Sequence, residues 1–101
     1  IVDEKTGRTL APLRFVGESL GCRVEWLAKS RRIIIRSRAH DIELSIGNQT
    51  ALVDGGKRLM EQAPILDERT GRTLVPLRFI AETMGHAVLW DGERRKIIIL
   101  K

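Results

Sequence analysis

Two stretches of the chain place apolar residues at helical spacing. Leu13, Val16, Gly17 and Leu20 stand at i, i+3, i+4 and i+7, and Leu77, Ile80, Ala81 and Met84 repeat the same stripe. The spacing predicts helices over Pro12–Leu20 and Pro76–Met84, with proline in the first turn, where its missing N–H costs nothing. Thr9 and Thr73, or a neighbour of each, are the expected caps, and Gly21 and Gly85 suit the left-handed position past each helix end. Phe15 and Phe79 fall off the stripe and are expected to pack on its flank. Arg14 with Glu18 and Arg78 with Glu82 are i, i+4 pairs on another face, each worth only about 0.2–0.5 kcal/mol.

Behind each helix the period changes from 3.6 to 2. Val24 and Trp26, and again Val88 and Trp90, fall on one face of a strand, over Arg23–Leu27 and Ala87–Asp91. A polar turn follows, then the β-branched triplets Ile33–Ile35 and Ile97–Ile99, so each helix should lead into a β-hairpin. Between the two stretches, residues 41–46 alternate polar and apolar and stop at Gly47-Asn48. Thr50–Val53 then runs into Asp54-Gly55-Gly56, the strongest turn signal in the chain, and Lys57–Met60 returns from it.

The repetition is not confined to pattern. Residues 1–36 align without gaps on residues 65–100 at an offset of 64, with 20 of the 36 positions identical. Residues 40–64 have no earlier partner, so the first copy reads as incomplete. The expected organisation is a partial first copy over 1–38, helix plus hairpin, and a complete second copy over 39–101, packed as one compact unit. The fold class is α+β: a small antiparallel sheet packed on one helix per repeat, in two tandem repeats.

Composition leaves that picture intact. The chain has 101 residues, 43% hydrophobic and 31% charged, which fits a globular protein with a modest core. No apolar run approaches the ~20 residues of a membrane helix. No signal peptide is visible, and the opening at Ile1 without methionine reads as an excised or processed piece. Charge is uneven. Residues 1–40 hold nine basic and four acidic side chains, whereas residues 41–101 hold nine of each, so the net +5 sits entirely in the first part. Arg31, Arg32, Arg36 and Arg38 carry much of it, either as a patch for an anionic partner or as charge guarding a strand edge. The second reading is preferred, since acids are interspersed and the second copy shows no bias.

Catalytic chemistry finds no footing. Ser19, Ser30, Ser37 and Ser45 lack a nucleophile-elbow setting, and there is no glycine-rich phosphate loop. His40 and His86 stand alone, without a neighbour at metal-ligand spacing, and are expected to cap a turn and to begin a strand. Cys22 is the single cysteine and reads as a small buried hydrophobe, its counterpart being His86. No catalytic residue, metal ligand or cofactor is assigned. The short Gly-Arg-Thr motif at 7–9 and 71–73 is expected to shape the turn entering each helix.

Gly71-Arg72-Thr73, Val75 to Phe79, Glu82, Gly85, Val88, Trp90-Asp91 and Ile97–Ile99 resemble the copper amine oxidase N-terminal-like domain. This family is also called the stalk domain and is widespread in exported proteins of Gram-positive bacteria. Ile42–Gly47, Val53-Asp54-Gly55 and Ala63-Pro64 fit the same pattern, and the resemblance covers nearly the whole chain. The first copy departs from it at Ala11, Gly17 and Leu27. The resemblance implies a small antiparallel sheet wrapped around one helix, at an extracellular, cell-surface or cell-wall location. It does not imply the oxidase reaction. The quinone of those enzymes is made from tyrosine and their copper needs several histidines, whereas this chain has no tyrosine and two histidines.

The expected function is therefore a non-catalytic structural or interaction module, a stalk or presenting domain. The alternative is a module that binds cell-wall polymer or carbohydrate through Trp26, Trp90, Arg31, Arg32, Arg36 and Arg38. Partners would be a wall polymer or another protein domain, and an open sheet edge would allow a homo-oligomer. Nucleic acid is disfavoured, because the arginines lack interleaved aromatics.

Overall fold

The computed structural model describes residues 2–3, 8–91, 93–94 and 96–100. In chain order the elements are β1 (Val2–Asp3), β2 (Arg8–Pro12), α1 (Leu13–Leu20), β3 (Arg23–Leu27), β4 (Arg32–Arg36), β5 (Asp41–Ser45) and β6 (Thr50–Val53). Then come β7 (Gly56–Leu59), β8 (Ile65–Asp67), β9 (Arg72–Pro76), α2 (Leu77–Thr83), β10 (Ala87–Asp91) and β11 (Lys96–Leu100). Two helices and antiparallel strands make an α+β domain.

The helices and the hairpins behind them stand where the periodicity places them. Leu13, Val16, Gly17 and Leu20 are the buried residues of α1, and Gly21 ends it at φ 68° in the left-handed region. The helix entry differs from expectation. Neither helix has a side-chain cap, and Thr73 lies inside a strand rather than at a helix start. The segment after Gly71 is β9, and its counterpart is β2, so the Gly-Arg-Thr motif begins a strand. Pro12 and Pro76 are the hinge between strand and helix. A φ near −60° serves both, and with no N–H to donate, proline ends the strand as the helix starts.

Among the described residues three sheets result in place of one per repeat. The first is four-stranded, in the order β1-β2-β9-β8, and joins the two copies. Here Leu10 pairs with Pro76, Ala11 with Val75 and Pro12 with Leu74. Residues paired across this junction are the mirror list of one another under the offset of 64, so a local two-fold axis passes through the Ala11–Val75 pair. Registers agree elsewhere too: Val2 pairs with Thr9 as Leu66 does with Thr73, and Trp26 pairs with Ile33 as Trp90 does with Ile97.

The second sheet is five-stranded, a meander β3-β4-β5-β6-β7, and the third is the β10-β11 hairpin alone. The 41–59 segment thus hydrogen-bonds to the first copy's hairpin, with Ile33 opposite Leu44 and Ile35 opposite Ile42. Strand pairing runs straight across residue 38. The β4–β5 connection is closed by Ser37, whose Oγ accepts the N–H groups of Ala39 and His40 and lies 3.0 Å from Met84 Sδ beyond α2. The β6–β7 turn is Asp54-Gly55, with φ of 52° and 85°, the two-residue hairpin turn that requires positive φ at both positions.

One core runs through both halves. Ile33, Ile35, Ile42, Leu44 and Ala51 of the five-stranded sheet belong to the same buried cluster as Val16, Val75, Leu77, Ile80 and Ala81. No helix among the described residues is long and apolar enough to cross a membrane.

Candidate functional site

The alternation along β3 and β4 decides which candidate residues can act together. Val24 and Trp26 pair with Ile35 and Ile33, whose side chains are buried, so these residues share the core-facing side of the sheet. Arg32 and Arg36 alternate with them and lie on the other side. Trp26 is partly buried and packs against the core cluster. Trp26 therefore lies on the face opposite Arg32 and Arg36 and does not form one site with them.

Two of the four arginines stand near acids of their own sheet. Arg32 forms an ion pair with Glu43 of β5, and Arg36 stands opposite Asp41. Arg31 is exposed at φ 55° in the β3–β4 turn, and Arg38 is exposed in the next turn. The expectation of a charge-guarded edge fails here for a simple reason: β4 is an inner strand, paired on both sides, and β5 supplies the acids. Trp90 pairs with Ile97 along the backbone, while its side chain lies outside the described residues.

Trp26 does border a groove, though with different partners. Its rim is formed by Arg14, Phe15 and Glu18 of α1 and by Arg72 and Thr73 of β9, enclosing about 770 Å³ open to solvent. The elements explain the assembly. With Leu13, Val16 and Leu20 turned inward, α1 must carry Phe15 outward, where it is 46% exposed. The left-handed Gly71, at φ 71°, turns the chain into β9 and brings Arg72 of one copy beside the helix of the other. Arg14 and Glu18 form no ion pair, contrary to the expectation from their spacing, and Arg78 Nη2 instead lies 3.5 Å from the Val88 carbonyl oxygen. Two cations, a carboxylate and two aromatic rings can bind a flat, polar-edged ligand, and nothing in the set is a nucleophile beside a base. The off-stripe position of Phe15 was the one signal of this groove in the sequence.

The titratable groups elsewhere are structural. His40 Nδ1 lies 2.6 Å from Asp54 Oδ2, while Asp54 Oδ1 accepts the Asp41 N–H at 2.9 Å. That N–H first, and then His40, hold the Asp54 carboxyl below its ordinary value. The turn that His40 was expected to cap is closed by Ser37, and the histidine ring is a tether between the ends of β5 and β6. His86 precedes β10, with its Nδ1 buried and unpaired. Burial raises the Cys22 thiol, which favours the inert neutral form. Among the described residues no group of three or more His, Cys, Asp or Glu gathers as metal ligands would. The residues do not fit a copper or quinone centre.

The model of the copper amine oxidase N-terminal domain family matches residues 2–99, and the chain belongs to that family, a family of non-catalytic domains. No curated protein matches it.

Proposed function

We propose that this member of the family is a non-catalytic structural or interaction module of an exported cell-surface or cell-wall protein. It acts as a stalk that spaces or presents the parts joined to it. The observation that supports this reading is the β2–β9 junction, which fuses the two copies through their own equivalent residues. The buried Leu10, Ala11, Leu74 and Val75 lie in this junction, and the buried stripe of each helix joins the same core. A rigid joint is what a spacer needs, and the described residues assemble no catalytic constellation.

The location is tested by fractionating cells that make the parent protein and shaving intact cells with protease. The reading expects this segment in the wall fraction and its peptides in the shaved material. Recovery solely from the cytosol would overturn it.

A second reading, binding of wall polymer or carbohydrate, is favoured by the groove that places Phe15 and Trp26 beside Arg14 and Arg72. Ring faces stack on sugar rings and the guanidinium groups meet phosphate or carboxylate substituents. Co-sedimentation of the chain with purified wall polymer tests it, with retention supporting the binder and passage into the supernatant leaving the spacer.

A further inference from the structure

The two hairpins share one backbone register and differ in the strands that lie beside them. Strand β4 has β5 along its outer edge over its full length, from Arg32 opposite Ser45 to Arg36 opposite Asp41. Its equivalent, β11, pairs only with β10 among the described residues. The consequence is visible in one pair of equivalent side chains. Ile35 is fully buried beside β5, whereas Ile99 is only partly buried.

Two edge strands among the described residues, β7 and β11, are not alike. β7, the outer strand of the meander, is Gly-Lys-Arg-Leu, with two cations that discourage a further strand. β11 is Lys-Ile-Ile-Ile-Leu, and Ile98 and Leu100 are 40% and 50% exposed. A β-branched edge whose one charge stands at its first residue, Lys96, is a template for strand addition.

We propose that the β11 edge, residues 96–100, is a docking site for an extended strand of the β5 type, supplied by a further repeat of the same kind. The internal duplicate identifies the occupant. A strand with apolar residues two apart, set opposite Ile97 and Ile99 as Leu44 and Ile42 are set opposite Ile33 and Ile35, completes the second half as β5 completes the first. The meander after it then covers the core face of the second half. Docking of this kind links units into an array through backbone hydrogen bonds, and it stands whether the module spaces or binds.

The alignment supplies the test, because Lys101 is the position equivalent to Ser37 under the offset of 64. A second copy of residues 38–60 is joined directly after Lys101, and amide hydrogen exchange is read residue by residue. The expected result is exchange at least ~10-fold slower at the outward amides of residues 96–100. Protection should vanish when the added copy carries Ile42→Ser and Leu44→Ser, which leaves the original 101 residues untouched. Unchanged exchange at 96–100 with the intact extension would overturn the proposal. So would protection of the same amides in the unextended chain that grows with concentration alongside a dimer mass, since the edge would then pair with itself.

Discussion

Ala11 and Val75 face each other across β2 and β9, and they are also the same position in the two copies of the repeat. Both are buried, at 5% and 0% exposure. One small and one larger residue thus meet on the two-fold axis, both inside the shared core.

Since this pair sits in a core shared by both halves, Val75→Ala should cost about 2 kcal/mol. Urea unfolding monitored by tryptophan fluorescence and by far-UV circular dichroism should still show one coincident transition. Two separated transitions would mean that the halves fold independently of the junction.

Gly17 of α1 packs closely against Val24 of β3. A methyl built there would lie 2.9 Å from Val24 Cγ1, a β-branched side chain packed against the core. Alanine ordinarily favours a helix interior by about 1 kcal/mol over glycine. Overpacking costs about 1–3 kcal/mol, so Gly17→Ala should be net destabilising by about 1 kcal/mol. Pairing it with Val24→Ala should recover part of that loss in a double-mutant cycle, although the second half carries Ala81 at this position with Val88 beside it.

The Asp54 carboxylate couples β5 to β6 through the Asp41 N–H and His40. Its carboxyl is held below the ordinary value in the folded chain, so its contribution is present above the unfolded carboxylate range and is lost as pH falls through the lower folded value. Melting temperature should therefore decline on acidification below about pH 4. Asp54→Asn should lower it at neutral pH and flatten that acid limb. An unchanged acid limb in the variant would show that other carboxylates govern it.

Phe15 contributes exposed ring surface rather than core, so Phe15→Ser should change stability by less than about 0.5 kcal/mol. If the groove binds wall polymer, that variant and Arg72→Ala should each weaken co-sedimentation about tenfold, while Arg31→Ala and Arg38→Ala leave it unchanged. The reverse pattern would move binding to the arginine turns, away from the residues that line the groove.

Local signals account for the parts of this fold that were legible. The stripe from Leu13 to Leu20, the left-handed Gly21 and the Asp54-Gly55 turn each act within a few residues, and each is where periodicity and turn chemistry place it. The β2–β9 pairing was not legible because its residues lie more than 60 positions apart and because each strand ends in a proline. The meander's choice of the first hairpin is likewise a tertiary outcome, settled by the four-residue connection after Arg36 and the acids facing Arg32 and Arg36. The groove joins α1 to the far copy's Arg72, a proximity that no spacing in the chain encodes.

Antiparallel strands of matched register look the same from either end, so the β2–β9 junction has no head and no tail. Direction enters only through the strands behind each helix, five in one sheet on one side and a bare hairpin on the other. A string of such units would be a polar filament assembled around apolar joints of no polarity.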